Sequence, residues 1–338
     1  MRAFILRNTA VSLLLLLSLA FLQAQGVRMI QNEHHGDSSY YDISEIAPGR
    51  FWMAGENGLL NEIDDEGNLT RIAFPEPDLD ILRIVSNDEK VFVGTNHGGL
   101  FSYDLRTEKW LKAVVPDNFE KRCFYDLLLL PNQNRLMVSG GHQKIAKGIK
   151  TVPLGFIASI DLEFFEELNI HHKNSLSFVW SLEHAEGKIY AASFGGRNTK
   201  IMQASELDLE FSKQSVVPGL IHHLEEAGGS IFYSGTASSK YSQHGIIGML
   251  GGPHEKLDGY GCIWSIKRLG GGWLGLNYYG DVLFLSESLE VDSKLSVTKN
   301  SIYEFQPINE HQALMVGHGQ KSMMLDLHMD KNRLSVKN

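Results

Sequence analysis

Six side chains that could move a proton or neutralise a charge recur at one place in a repeating unit: His97, His142, Arg197, His244, Tyr278 and His318. Each follows a short apolar segment that ends in small residues. An imidazole or phenol there can take a proton while a guanidinium or amide neutralises a carboxylate, the pairing that elimination from an acidic sugar requires. A second set repeats upstream of these loops. Trp180, His222, Trp264 and Tyr303 align within short apolar strands, as does Tyr125, and Asn96 and Asn277 sit in the loops. Aromatic faces with a few convergent polar groups are the usual lining of a small-molecule or saccharide pocket. The plainer alternatives are packing between repeats for the aromatics and turn formation for the loop His and Asn.

The elements that must hold these residues are strands. Seven segments end alike, among them Phe51-Trp52-Met53-Ala54-Gly55, Val91-Phe92-Val93-Gly94, Leu136-Met137-Val138-Ser139-Gly140 and Ala313-Leu314-Met315-Val316-Gly317. A period of about 40–50 residues with four strands per unit predicts a propeller. The expected fold is all-β, a single seven-bladed β-propeller of four-stranded antiparallel blades over 40–338. Pro75-Glu76-Pro77, Pro116-Asp117-Asn118 and Gly259-Tyr260-Gly261 read as links between blades. Arg333-Leu334-Ser335-Val336 is read as a fourth strand of the seventh unit, so Val27–Gln31, within a 25–39 N-terminal segment, becomes an additional or swapped outer strand at the seam. Two blades carry longer second–third loops, 142–155 and 236–245.

Folding the units onto one another predicts where the candidates meet. Loops between second and third strands share a face with the starts of the innermost strands, so both sets should crowd one rim of the channel. Strand alternation would send Tyr125, Trp180, His222, Trp264 and Tyr303 to one side and Glu45, Arg83, Asp126, His223 and Glu304 to the other. By the same rule the doublet His222-His223 could supply at most one ligand to a metal, and no metal site and no cofactor is expected.

The run Val91-Phe92-Val93-Gly94-Thr95-Asn96-His97-Gly98-Gly99-Leu100-Phe101-Ser102-Tyr103-Asp104, echoed by Gly55-Glu56-Asn57-Gly58-Leu59, resembles the repeat of bacterial two-component-regulator propellers. Secreted propellers of the photosystem-assembly type are similar. The resemblance is good over the first two blades and loose over the rest. It implies a propeller outside the cytoplasm and, from the regulator family, a saccharide ligand. The kinase and membrane helix of that family have no counterpart pattern here.

Arg2 and Arg7 precede an apolar stretch from Val11 to Leu22, and Leu22-Gln23-Ala24 offers a cleavage site. Residues 1–24 therefore read as a signal peptide, giving a secreted or periplasmic protein with no membrane span in the mature chain. Net charge is −9, which disfavours nucleic acid as a partner. Cys123 and Cys262 open first strands of units across the ring, so no bridge between them is expected. Gly270-Gly271-Gly272-Trp273-Leu274-Gly275 lies between two strands and reads as a hairpin, not a dinucleotide site. Two functions follow. The first is a monomeric binding module or scaffold presenting this face to a saccharide or protein partner. The second is a carbon–oxygen lyase, polysaccharide-lyase-like, using His, Tyr or Arg on the same face.

Overall fold

The computed structural model describes residues 27–30, 38–119, 121–142, 155–174, 177–237, 240–269, 271–309, 311–319, 321–330 and 333–336. The proposed signal peptide and most of the 142–155 loop lie outside them. Seven antiparallel sheets follow one another along the chain. Their innermost strands are Tyr40–Ala47, Ile81–Ser86, Arg122–Leu130, Phe178–Ala185, Leu220–Ala227, Ile263–Leu269 and Ile302–Asn309. Each pairs only with the next strand of its own blade, so its other edge faces the central channel. The expected seven-bladed propeller is the fold observed. Among the described residues no helix is long and apolar enough to cross a membrane.

Alternation explains the packing of the blades. In Arg50–Gly55 every residue after Arg50 is buried, because both faces of a middle strand meet a neighbouring blade. The resulting cores lie between blades. Trp52, Ala54 and Leu60 of blade one pack with Ile81, Val91 and Phe101 of blade two. Trp273 of blade six likewise meets Phe232 of blade five at 4.3 Å between ring centres.

At the seam Val27–Ile30 supplies the outer strand expected of it, whereas Arg333–Val336 does not take the fourth place read for it. Val27–Ile30 pairs antiparallel with the third strand of blade seven, running opposite Leu325 to Ser322. Arg333–Val336 pairs with the far end of that same strand, Leu327 to Asp330. The fourth place in blade seven beside its middle strands is thus filled from the N-terminal side, and the C-terminal segment extends the long third strand beyond it. Val27 is buried in the core between blades six and seven, and Ile30 in the core between blades seven and one. The Arg28 side chain donates to the Glu66 carbonyl of blade one.

One irregularity repeats in every blade. The pairing of each innermost strand with its neighbour skips one residue: Tyr41, Leu82, Tyr125, Trp180, His222, Trp264 and Tyr303. These are β-bulges, which place two residues opposite one and re-aim side chains. They also explain the glycines that end the second strands. Gly55, Gly140, Gly235 and Gly317 each lie opposite the residue that precedes a bulge. A Cβ at Gly140 would stand 1.9 Å from the Cys123 carbonyl oxygen, and one at Gly235 2.1 Å from that of Leu220.

Candidate functional site

The seven bulge residues form a collar inside the channel, at the end where the innermost strands begin. Together with Arg83 they line a cavity of ≈ 230 Å³. Six of the seven are rings in an almost unbroken chain. Tyr41 lies 5.8 Å from Tyr303, Tyr303 5.5 Å from Trp264, and Trp264 4.8 Å from His222. His222 is 5.1 Å from Trp180, which stacks on Tyr125 at 4.2 Å. Only Leu82 interrupts the series. Trp180, His222, Trp264 and Tyr303, taken from the sequence as ligand-binding residues, are brought together here. Tyr41 and Leu82 complete the collar and were missed. Placing Glu45 level with Arg83 sets the first blade three residues out of step. Counting back from the end of the second strand, where Tyr40 pairs Gly55 as Ile81 pairs Thr95, would have found Tyr41.

The bulge also overturns the alternation argument. The residue after six of the seven bulges faces the channel as well: Asp42, Arg83, Asp126, Ser181, His223 and Glu304 line a second cavity of ≈ 240 Å³. His222 and His223 therefore both point inward, one into each layer. Glu45, placed in this polar column by sequence, is exposed, and Asp42 holds its place. The polar residues bind the ring together. Asp42 accepts from the Ile84 amide at 2.8 Å, Asp126 from that of Leu182 at 2.6 Å, and Ser181 from that of Leu224 at 3.1 Å. Each side chain thus satisfies an amide on the free edge of a neighbouring blade, where no ladder partner exists.

Charge is concentrated in this layer. The Arg83 guanidinium lies 3.4 Å from Asp42, 3.6 Å from Asp126 and 3.7 Å from Glu304. The Lys267 ammonium is 3.2 Å from Glu304. Burial holds Asp42 above the usual carboxylate range despite Arg83, and pushes Glu183 up to about 7 and Glu225 up to about 8. Burial would raise Glu304 too, but Lys267, His223 and Arg83 together bring it well below its ordinary value. His222 is driven down to about 3 and His223 to about 4, mainly by burial. Both imidazoles are neutral at physiological pH.

These shifts set a pH dependence of stability. A carboxyl whose folded pKa is raised stabilises the fold below its unfolded pKa, and that contribution is lost as pH rises through the folded value. The two histidines act oppositely, but only below about 6.5, their unfolded value. Between pH 6.5 and 8 the carboxyl groups alone operate, so stability is expected to fall across that window. Urea unfolding should show a higher midpoint at pH 6.5 than at pH 8, with a smaller difference in Glu225→Gln. An unchanged slope in that variant would remove Glu225 from the effect.

The loop candidates are placed on the rim but not with one another. His97 is exposed and occupies a left-handed turn conformation at φ 52°, as Asn57 does in blade one. Asn96 accepts from the Asp80 amide at 3.0 Å and donates to its carboxylate at 2.9 Å. Asn277 closes a similar loop on Asp281 and Tyr279. Both asparagines are buried, Asn277 as a staple of its own loop and Asn96 as a tie from its loop to the start of the innermost strand of its blade. His244 Nδ1 lies 2.8 Å from Asp258, and His318 Nδ1 3.0 Å from the Ser39 hydroxyl. Tyr278 is partly exposed against Tyr279. The His142 side chain lies outside the described residues. Among the described residues no hydrogen bond or ion pair joins any two of the loop candidates, and no group of three His, Cys, Asp or Glu is placed to hold a metal ion. Cys123 and Cys262 are free and buried, and burial raises both thiols, Cys123 to about 12.

Arg197 is different. It is exposed and lines a groove of ≈ 550 Å³ with Phe194, Gly196, Gly219, Leu220 and Tyr241. Tyr241 reaches from that groove to the collar, 5.5 Å from His222 and 5.3 Å from Trp264.

No protein-family model and no curated protein sequence matches the chain. Solved structures do. YCF48 bound to a D1 peptide superposes with a TM-score of 0.62 at 10% identity, covering 93% of this chain and 96% of that one. YCF48 from Cyanidioschyzon merolae gives 0.63 at 9% identity over 88% and 98%. The WD40 propeller domain of Doa1 gives 0.63 at 10% identity over 91% and 98%. The likeness is one of fold. It carries the similarity to photosystem-assembly propellers, first visible in Val91–Asp104, across the whole ring.

Proposed function

We propose that this protein is a binding propeller that holds an extended polypeptide segment across the face bearing the collar, with one side chain of that segment seated among the rings. The observation that carries this reading is the join between collar and groove at Tyr241, which offers a trough for a backbone beside a socket for a side chain. Trp180 Nε1 and Trp264 Nε1 are buried and have no hydrogen-bond partner among the described residues, so two donors in the collar wall remain unsatisfied. The YCF48 structure with a D1 peptide is a precedent for a peptide on a propeller of this shape. Secretion by removal of residues 1–24 and a monomeric state belong to the same proposal. Among the described residues no two of the loop candidates meet, so the lyase reading has no acid–base pair built from them.

Screening immobilised peptides of about a dozen residues, then calorimetry on those retained, tests it. Binding by the parent chain and about a tenfold or greater loss of affinity in Trp264→Ala are expected, as for a buried aromatic anchor. Retention of oligosaccharides alone, or release of unsaturated products from an acidic polysaccharide, would overturn it.

A further inference from the structure

The collar carries a charge signature that identifies its occupant. Arg83 reaches the collar floor, but three carboxyl groups surround it, and the nearby Lys267 ammonium is shared with Glu304. Glu183 and Glu225 line the same lower cavity and make no ion pair among the described residues. Five carboxyl groups therefore face two permanent cations, and both histidines are neutral. Above this layer the wall is π surface, whose faces attract positive charge. His222 is only 6% exposed, and its Nε2 has no partner among the described residues. With the proton on Nδ1, that nitrogen is an acceptor waiting for an N–H donor. The cavity of ≈ 230 Å³ suits the end of one long side chain.

We propose that the collar is a receptor for a single organic cation, entered end-on along the channel axis. The inference rests on the peptide-binding reading for its natural source, which is then a lysine or arginine side chain of the bound segment. The rings supply cation–π contact, His222 accepts from the entering N–H, and the carboxyl groups beneath provide the counter-charge as they give up protons. Bringing a fixed positive charge over this layer favours ionisation of Asp42, Glu183 and Glu225, so binding should release protons.

The test uses the full chain and two free probes, Nα-acetyl-lysine methylamide and its neutral counterpart Nα-acetyl-norleucine methylamide. Tryptophan fluorescence reads the collar directly through Trp180 and Trp264, and calorimetry in two buffers of different ionisation enthalpy reads the protons. Saturable binding of the lysine probe is expected, at least about tenfold tighter than the norleucine probe, since a desolvated cation–π contact contributes that much. Trp264→Leu and Glu225→Gln should each weaken it severalfold, the second also reducing proton release. Circular dichroism and thermal unfolding confirm that the variants are folded. Equal binding of both probes, no binding of either to the folded parent, or indifference to both substitutions overturns the proposal. Peptides bound without preference for Lys or Arg would sink this inference and keep the peptide reading. A bound lysine probe with no retained peptide would do the reverse.

Discussion

Replacing Arg83 by Ala is expected to lower the stability of the ring by about 3–5 kcal/mol, the range for breaking a buried charge network on one side. Asp42 and Glu304 are almost fully buried, and the Asp126 side chain is 16% exposed. Without the guanidinium all three keep their burial, Asp42 and Asp126 lose their counter-charge, and Glu304 keeps only Lys267. Asp42 and Asp126 cannot turn away, because each holds an amide of an adjacent blade. Arg83 further donates to the Tyr125 carbonyl at 2.9 Å, so blades two and three lose a direct link. The carboxyl groups can escape only by taking up protons. The loss should therefore be smaller at pH 5 than at pH 8, where protonation is harder. Urea unfolding at both pH values measures this, and adding Asp42→Asn to the variant should restore part of the loss. A change below about 1 kcal/mol at pH 8 would mean that water already screens the layer as it does a surface pair.

A chain that begins at residue 38 is expected to lose about 3–6 kcal/mol, or to stop unfolding as one cooperative unit. Val27 and Ile30 are both buried, and full burial of such a side chain contributes about 1.5–3 kcal/mol. They belong to different cores, so one short strand ties blade six to seven and blade seven to one. Its removal also bares the edge from Ser322 to Leu325, an open template for other chains. Size-exclusion chromatography should show self-association of the shortened chain. A synthetic peptide covering 25–33 should restore the midpoint in urea. If shortening leaves the midpoint unchanged, ring closure does not depend on this strand.

The architecture was legible because repetition over-determines it. Seven copies of one strand pattern, each closing on small residues, can bury their two-sided middle strands only by stacking on a neighbour, and a closed ring provides that for all seven. Trp180, His222, Trp264 and Tyr303 could be grouped for the same reason, since equivalent positions in equivalent blades must share a radius and a height. The loop residues were located at the rim on that logic too. Location was not enough for chemistry, because Asn96 spends its polar groups on Asp80, Asn277 on its own loop, and His97 is held as a turn.

What the sequence could not yield came from events that break its own regularity. One inserted residue per inner strand turns two successive side chains into the channel, a choice between two sides that strict alternation forbids and only the observed register reveals. The glycines at 55, 140, 235 and 317 were visible, but the carbonyl they make room for belongs to a strand whose register had to be seen. The seam is likewise decided in three dimensions. Val27 meets Leu325 across nearly the whole chain, and no local propensity distinguishes that pairing from the fourth strand which Arg333–Val336 could have made. The sequence by itself determined a seven-bladed ring and the radius of its aromatic residues, through periodicity. The tertiary structure alone decided that those residues form a collar over a carboxylate-rich layer, because that depends on register, and register is set by packing between blades.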